Sequence, residues 1–356
     1  MIVPILTVNL GYVRHNYFVL DSYTSKGCEA MPVIKADAYG FGADKICEAL
    51  DVAKYFAVAR LSEGIALKKS FPDKEFVVFS GVFSNQDLKY VLKYSLVIVI
   101  HSIFQLKLLK YIPNGKLVHC WLKYDSGMHR LGLNDSEIEL ALRELPLING
   151  VKVDGVLSHL SSADSDLSVC EQQVAKLFDV SKGKSLNISM TNSAGLLNAV
   201  SVNQSVARFG LALYGISPLN DKSPESFNLK CAYKFSSNVI SIREHQPNEP
   251  VGYNGTWISK CATRIAVVGV GYADGYPRDV AANTPVLING KRFPVVGRVS
   301  MDLLTVDIGI SANIEVGDEV VLWGESLPVE LISKLSNRIP YELFTGISNR
   351  VVRKYL

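Results

Sequence analysis

Eight short apolar runs, separated by amphipathic stretches, fill residues 31–215 and constrain the fold more than any other feature of the chain. The candidate strands are 31–38, 55–60, 76–81, 96–101, 116–124, 152–160, 187–192 and 205–213. Nearly continuous apolar strands that alternate with helices are typical of parallel α/β sheets. Eight repeats favour a closed (β/α)8 barrel, and the pattern leaves an open doubly wound sheet as the alternative.

The stretches between these runs predict helices on the outside of the barrel. The clearest are 62–69, 86–93, 104–111, 136–145 and 169–180. Ser62, Asn85 and Asp135 are the predicted N-caps of three of them, because short polar side chains accept hydrogen bonds from the first helical amides.

From about residue 225 the pattern changes to short alternating runs separated by turns rich in Gly, Asn, Pro and Asp. The runs are 234–242, 264–270, 284–288, 293–296, 303–306 and 319–322. Asn289-Gly290 between two of them predicts a tight hairpin. The sequence therefore predicts an all-β C-terminal domain, and the polar segment 220–226 is the predicted boundary.

Composition excludes several classes of function. A net charge of +3 on 356 residues, without basic runs, does not indicate nucleic-acid binding. The most apolar run, 96–100, is too short to cross a bilayer, and no signal peptide is visible, so we expect no membrane partner and a cytoplasmic location. The six cysteines form no C-x-x-C pair and the histidines lack ligand spacing, so we expect no metal.

Polar residues and one glycine lie where the predicted barrel strands end, which is the edge that carries barrel active sites. They are Lys35, Tyr39, Lys123, Asp125, Arg130, Ser158, His159, Asn192, Ser193, Arg208, Gly210 and Tyr214. A lysine at the end of a buried strand suits Schiff-base chemistry with a carbonyl, because burial favours its neutral amine. The residues after strands seven and eight lie where barrels often bind phosphate.

Several motifs together resemble those of the bacterial alanine racemases, which are fold type III pyridoxal-phosphate enzymes. They are VIKADAYGFG at 33–42, LKYDSGMHRLG at 122–132, NS at 192–193, ARFG at 207–210, GYNGT at 252–256, GYADGYPR at 271–278, GRVSMD at 297–302 and YEL at 341–343. The resemblance covers nearly the full length. It implies a barrel at 10–222 and a β-domain at 223–356, with the segment 1–9 packed on the β-domain.

The resemblance implies pyridoxal 5'-phosphate as the cofactor. Lys35 would hold it as a Schiff base, Arg208 would face the pyridine nitrogen, and Arg130 would contact the phenolic oxygen and the substrate. The residues that the resemblance assigns to the cofactor's phosphate are Tyr39, Ser193, Gly210 and Leu211.

The resemblance also implies an isomerase that interconverts L-alanine and D-alanine with two bases, supplying D-alanine for peptidoglycan in the cell wall. Lys35 would be one base. Tyr253 from the other subunit of a head-to-tail homodimer would be the second, supported by His159. Opposed bases suit racemisation, because a proton leaves one face of Cα and returns on the other. The remaining implied residues are Met301, Tyr272 and Asp302 for the substrate and Lys123 as a carbamylated lysine.

Asp37, His129 and Asn349 depart from the pattern of many relatives. Asn349 replaces a tyrosine of some members, and the smaller residue leads us to expect some activity on serine besides alanine. Three alternatives remain: a decarboxylase of the same architecture, a non-catalytic cofactor-binding protein, and a lysine Schiff-base aldolase. Arg208 argues against the decarboxylase, which would place a carboxylate opposite the ring nitrogen. Tyr253 and the β-domain argue against the other two.

Overall fold

A computed structural model describes residues 3–219 and 221–356, which divide into two compact units. Of the described residues, the barrel unit comprises 12–38, 42–219 and 221–230, and the β unit comprises 3–11, 39–41 and 231–356. The residues 223–230 thus group with the barrel unit. The boundary at 222/223 stays a prediction.

The barrel unit contains eight parallel strands, numbered here one to eight in chain order. They are Glu29–Pro32, Tyr55–Val58, Glu75–Val78, Val97–Ile100, Val118–Lys123, Val151–Leu157, Asn187–Ser189 and Val206–Phe209. Strands two to seven form one sheet in sequential order, and strand one pairs in parallel with strand eight. Their buried faces are Val-, Ile- and Phe-rich, as expected of strands covered on both sides.

Hydrogen bonds at two places close the ring of strands. Val33 bridges in parallel to Ala57, which joins strands one and two. The Ser205 amide donates to the Ile188 carbonyl at 2.9 Å and the Arg208 amide to the Thr191 carbonyl at 3.2 Å, which joins strands seven and eight. The predicted (β/α)8 barrel is confirmed.

Helices accompany the strands. They are Leu10–Ser22, Ala43–Ala49, Leu61–Ser70, Asn85–Tyr94, Ile103–Leu108, Asp135–Glu144, Leu167–Ser181 and Ser193–Leu197. None of the helices in the described part of the chain is long and apolar enough to cross a membrane.

The three predicted N-caps are wrong by one or two residues. Ser84 and Asn134 are the caps, and their side chains accept from the amides of Asp87 at 3.1 Å and Glu137 at 3.0 Å. The residue after each cap is also polar and suits the first turn, so the pattern alone did not separate the two positions. The helix Leu61–Ser70 has Arg60 at its cap position instead of Ser62.

The first strand is shorter than predicted. It ends at Pro32, and residues 33–38 do not continue it as the sequence suggested. Ala36, Asp37 and Ala38 each have φ of 53° and Tyr39 has φ of 59°, so the chain makes a left-handed turn. Such a conformation usually needs glycine, and residues 36–39 contain none, which is why the pattern gave no sign of it.

The β unit is built around an eight-stranded sheet. Its strands are Ile5–Val8, Tyr233–His245, Thr263–Val268, Pro285–Ile288, Lys291–Val296, Leu304–Asp307, Glu319–Trp323 and Val352–Tyr355, and Pro250–Val251 pairs separately with Trp257–Ile258. The predicted β-domain is confirmed, with two short helices added at Val329–Ser336 and Pro340–Thr345.

Two local features of the β unit match the sequence. Ile5–Val8 lies between Tyr233–His245, to which it is antiparallel, and Val352–Tyr355, to which it is parallel. Residues 1 and 2 of the predicted segment 1–9 lie outside the described residues. Asn289 and Gly290 have φ of 50° and 75° and connect the paired residues Ile288 and Lys291, so the predicted hairpin is confirmed.

Candidate active site

Lys35 stands at the start of the left-handed turn, beyond the end of barrel strand one. Glu63 holds this turn from the helix Leu61–Ser70. Its Oε1 accepts a hydrogen bond from the Ala36 amide at 2.7 Å, and its Oε2 accepts from the amides of Ala59 at 2.9 Å and Arg60 at 2.8 Å. One carboxylate therefore ties the turn that bears Lys35 to the end of strand two.

Asp37 fixes the other side of the turn. Its Oδ1 accepts from the Ala43 amide at 2.7 Å, and its carbonyl accepts from the Gly42 amide at 3.0 Å. The carboxylate thus lies at the start of the helix Ala43–Ala49, where the helix dipole favours negative charge. The acidic residue that departed from the family pattern has a structural role here.

Four cationic side chains of the barrel unit influence one another at its C-terminal strand ends: Lys35, Lys123, Arg130 and Arg208. Burial lowers the pKa of Lys35, as does the Arg130 charge, while Glu63 opposes both effects. Burial also lowers the pKa of Lys123 to about 8, helped by the neighbouring cations and opposed by Asp125. Both amines therefore lose their protons more readily than an exposed lysine.

His159 lies in the same electrostatic field. Burial and then the positive charges of Arg208, Lys123, Arg130 and Lys35 lower its pKa to about 3. At neutral pH the imidazole is uncharged, so it offers one N–H donor and one lone pair rather than a second positive charge.

Arg208 is only 4% exposed and is held entirely by neutral groups. Its Nη1 donates to Ser189 Oγ at 2.6 Å, and its Nη2 donates to the carbonyls of Ser158 at 2.6 Å and Met190 at 3.3 Å. No carboxylate of residues 3–219 or 221–356 forms an ion pair with it. Burial lowers its pKa to about 10, so the guanidinium stays charged at neutral pH. A buried positive charge without an anionic partner favours the binding of a ligand atom that carries a lone pair and accepts a hydrogen bond.

Arg130 is exposed and is carried by a closed loop after strand five. Asp125 Oδ1 accepts from the amides of Gly127 at 3.1 Å and His129 at 3.0 Å, and the Asp125 amide donates to the Leu133 carbonyl at 2.9 Å. Gly132 has φ of 146°, and a Cβ there would lie 2.7 Å from the Asp125 nitrogen. Asp125 therefore shapes the loop that presents Arg130.

The region after strands seven and eight brings small polar groups together. Ser193 is buried, and its Oγ accepts from the Gly210 amide at 3.1 Å. Asn192 caps the following helix through a bond from the Gly195 amide at 2.9 Å. Gln204 accepts from the amides of Met190 at 2.9 Å and Thr191 at 3.0 Å, and the sequence gave no sign of this support.

Three other predicted residues of the barrel unit are buried. Ser158 Oγ lies 2.8 Å from Ser126 Oγ, and the Ser158 carbonyl binds Arg208. Leu211 and Tyr214 belong to a short 3-10 turn, Leu211–Tyr214, with exposed fractions of 1% and 0%. Tyr214 is therefore a core residue. Leu211 begins the turn, so its backbone lies next to Gly210.

The remaining predicted residues belong to the β unit. Tyr39 is buried with its ring 5.7 Å from that of Tyr341, and burial followed by this neighbour raises its pKa. Tyr253 is 68% exposed in the turn between Pro250–Val251 and Trp257–Ile258. Gly252 before it has φ of 72°, which a side chain would strain.

Tyr272, Met301 and Asp302 share one surface of the β unit. The Tyr272 amide donates to the Ser300 carbonyl at 3.0 Å, and a Cβ at Gly271 would lie 2.3 Å from the Met301 oxygen, so the two loops touch closely. Arg350 binds Asp302 at 2.7 Å and the buried Asp274 at 2.8 Å. Tyr272 and Met301 remain 40% and 53% exposed.

An eight-stranded barrel with a lysine-centred cationic site, followed by a separate β unit, defines a class of two-unit barrel enzymes. A family model described as alanine racemase, N-terminal domain, matches residues 8–218. A second, described as alanine racemase, C-terminal domain, matches residues 232–355. The chain belongs to the alanine racemase family, and the resemblance seen in the sequence is confirmed.

Relatives and solved structures agree with this assignment. The alanine racemase of Pasteurella multocida is 39% identical over 347 residues, covering 97% of this chain and 96% of the relative. That of Mannheimia succiniciproducens is 37% identical over 354 residues, covering 98% and 99%. The biosynthetic alanine racemase from Pseudomonas aeruginosa has a TM-score of 0.95 at 35% identity, with both chains covered fully. The Bartonella henselae enzyme, solved with covalently bound pyridoxal phosphate, has a TM-score of 0.91 at 28% identity, with 99% of each covered.

Proposed function

We propose that this chain interconverts L-alanine and D-alanine, using pyridoxal 5'-phosphate attached through Lys35 Nζ. Membership of the alanine racemase family supports the reaction and the cofactor. The observation that carries the proposal is the barrel site itself, where a lysine of lowered pKa lies among three further cations and a neutral His159.

The donor set fits this cofactor. Pyridoxal phosphate presents an aldehyde, a phenolic oxygen, a ring nitrogen and a phosphate, so it needs one reactive amine and several donors. Lys35 supplies the amine, Arg130 a cation for the phenolic oxygen, and the buried Arg208 a donor for the ring nitrogen. The phosphate donors are the Ser193 hydroxyl, the amides of Gly210 and Leu211, and the Tyr39 phenol.

When bound, the cofactor withdraws electrons from the amino acid and makes its Cα proton removable. The protein's own task is to hold one proton acceptor on each face of Cα. Lys35 Nζ takes one face, and burial, followed by the Arg130 charge, lowers its pKa, which favours the neutral amine that can accept a proton. Arg208 would face the ring nitrogen as a donor, where a carboxylate would instead favour its protonation, so the electron withdrawal that the cofactor supplies would be moderate.

Tyr253 serves the opposite face, and it comes from a second copy of this chain in a head-to-tail homodimer. Its 68% exposure, with glycines on both sides of the turn, leaves the phenol available to another molecule. A phenol can accept a proton only after it has lost its own, and near neutral pH the phenolate needs cationic or hydrogen-bonding help. The pair His159 and Arg208 supplies it, because the neutral imidazole is a hydrogen-bonding group beside a fixed positive charge.

The substrate carboxylate is bound by Arg130 and by the Met301 amide, and Tyr272 and Asp302 line the approach. Arg350 keeps Asp302 in place through the ion pairs described above.

Lys123 is the proposed site of carbamylation. Carbamylation needs a neutral amine, which a pKa of about 8 provides in part at neutral pH. The resulting anion would offset the positive charges of Arg130 and Arg208 and fix Arg130.

The proposal is tested by trapping the cofactor. Borohydride reduction of the purified protein with pyridoxal phosphate, followed by peptide mapping, should label Lys35. Lys35→Ala should lose the label and racemise alanine at least about 1000-fold more slowly. Lys45→Ala, which removes an exposed lysine paired with Glu48, is the control and should change neither result. Label on another lysine, or normal turnover in Lys35→Ala, would contradict the proposal.

Activity on serine is a second part of the proposal. Asn349 is exposed in the β unit. Its side chain is smaller than the tyrosine of some relatives and polar, so we infer that it would accommodate the hydroxymethyl group of serine. Asn349→Tyr should lower serine turnover relative to alanine turnover, measured by chiral chromatography. Unchanged serine turnover would remove the basis for this activity.

We place the reaction in the cytoplasm, where it would supply D-alanine for peptidoglycan. All six cysteines are free, which is typical of a reducing compartment. Cell fractionation with an antibody against the protein tests the location, and recovery of the protein outside the cytoplasmic fraction would contradict it.

A further inference from the structure

We infer that Glu63 is a positioning residue that holds the Lys35 amine at its working place and balances its charge. The inference rests on the proposed role of Lys35. It deepens that role by assigning a task to a side chain on a different element of the barrel, the helix Leu61–Ser70.

An ordinary helix cap would use only one oxygen of Glu63. Glu63 is the third residue of its helix, and the bond from the Arg60 amide to Oε2 is the backbone half of a capping box. The same oxygen also accepts from the Ala59 amide. Oε1 is left for a contact that capping does not require.

That second oxygen accepts from the Ala36 amide at 2.7 Å, one residue beyond Lys35. Ala36 begins the left-handed turn, which no glycine stabilises from within. The contact spans 27 positions of sequence and joins two strand ends at the barrel mouth. Losing it would release the backbone that fixes the Lys35 Cα, and small displacements of a reacting group are costly to its rate.

Charge gives Glu63 a second effect on Lys35. After burial, two charges shift the pKa of Lys35: Arg130 on the loop after strand five lowers it, and Glu63 on its helix raises it. Arg208 and Asp125 act on Lys123 in the same region, where His159 is neutral. Among the described residues, Glu63 is thus the negative charge that acts on Lys35 itself. Removal of the Glu63 charge should therefore lower the pKa of Lys35.

Glu63→Gln separates capping from positioning. Glutamine also completes a capping box at this position, because its carbonyl oxygen can accept the Arg60 bond. Its amide nitrogen cannot accept from the Ala36 amide, and it carries no charge. The matched control is Glu137→Gln in the capping box of the helix Asp135–Glu144, where Asn134 and Glu137 exchange two bonds of 3.0 Å.

The measurement is the rate at which pyridoxal phosphate attaches to Lys35 of the cofactor-depleted full chain, followed by absorbance from acid to alkaline pH. Glu63→Gln should slow attachment at least about tenfold. The pH midpoint, at which the attachment rate reaches half of its maximum, should also decrease. Glu137→Gln should match the unaltered protein in both. Glu63→Asp keeps the charge but shortens the reach, so it should slow attachment with a smaller change in midpoint. It also provides the test if Glu63→Gln does not fold.

Two outcomes would overturn the inference in distinguishable ways. If attachment maps to Lys35 and Glu63→Gln behaves as Glu137→Gln, Glu63 is a helix cap only and the proposed function stands. If peptide mapping finds the cofactor on another residue of the unaltered protein, the proposed function fails, and this inference fails with it.

Discussion

Lys123 shows at the scale of one residue how the site trades stability for reactivity. A buried ammonium close to Arg208 and Arg130 is unfavourable in the folded state, and burial followed by these two charges lowers the pKa of Lys123. The unfolded chain leaves the same lysine in water at its ordinary pKa. Folding therefore loses free energy at this position whenever the amine is protonated.

Lys123→Met should stabilise the cofactor-depleted protein in carbonate-free buffer at pH 7. We expect a gain of about 1–2 kcal/mol in the free energy of unfolding, because a hydrophobic side chain replaces a poorly compensated cation. The same variant should lose racemase activity. Urea unfolding followed by circular dichroism measures the first effect. An equal or lower stability would show that Lys123 is not strained.

The gain in the free energy of unfolding from Lys123→Met should depend on pH in one direction. Between pH 8 and 10.5 the unfolded chain binds more protons at Lys123 than the folded one, so the stability of the unaltered protein rises with pH there. The advantage of Lys123→Met is therefore full below pH 8 and fades toward pH 10.5. A constant difference across this window would contradict the assigned pKa.

The cationic residues of the site could be predicted from the sequence, together with Asp125 and Ser158, which hold the Arg130 loop and Arg208. The other residues that hold the site could not. Lys35, Arg130 and Arg208 stand in motifs and at strand ends, which are visible in one dimension. Glu63, Ser189 and Gln204 act through contacts 13–27 positions away in the chain, so nothing local distinguishes them from ordinary helix, strand and loop residues.

The left-handed turn at Ala36–Tyr39 is the element on which the site depends. Each non-glycine residue in this conformation costs roughly 1–2 kcal/mol, which Glu63 and Asp37 offset through backbone hydrogen bonds. Backbone strain held in this way tends to occur where geometry serves function.

Ala36→Gly should relieve part of that strain. Ala36 is exposed and has φ of 53°, so glycine loses little packing and should raise the free energy of unfolding by about 0.5 kcal/mol. Ala66→Gly, at an exposed position within the ordinary helix Leu61–Ser70, should instead lower it by about 0.5–1 kcal/mol. Thermal unfolding of both variants measures the contrast. Destabilisation of equal size in both would mean that the turn is not strained.

The ends of the strands could be predicted from the sequence pattern in most of the barrel but not after strand one. Barrel strands two to seven were predicted to within a few residues, because apolar runs end where burial ends. Strand one was extended too far, since a left-handed turn without glycine has no signature of its own and is fixed by a distant carboxylate.

The whole molecule divides the predicted functional residues between two units. Lys35, Arg130, His159 and Arg208 lie in the barrel unit, and Tyr253, Met301 and Asp302 lie in the β unit. The two-unit architecture was predictable because the hydrophobic period changes near residue 225. The proposed pairing of two chains rests on the family resemblance, since periodicity records burial within one chain only.

Mixed dimers test whether active sites are shared. Lys35→Ala and Tyr253→Phe should each be nearly inactive alone. When the two are co-expressed, random pairing gives about half mixed dimers, each with one complete site, so about a quarter of normal activity should return. Loss of the regained activity on dilution to monomers would support the pairing. No recovery at all would place both residues of a site on one chain.

Solvent-deuterium exchange at alanine Cα tests most directly whether Lys35 and Tyr253 serve opposite faces. In the Tyr253→Phe enzyme with its cofactor, Lys35 still reaches one face. Deuterium should therefore enter one enantiomer of alanine while racemisation is lost, as followed by mass spectrometry after chiral separation. Exchange into both enantiomers at the normal rate, or equal loss from both, would contradict the two-base account.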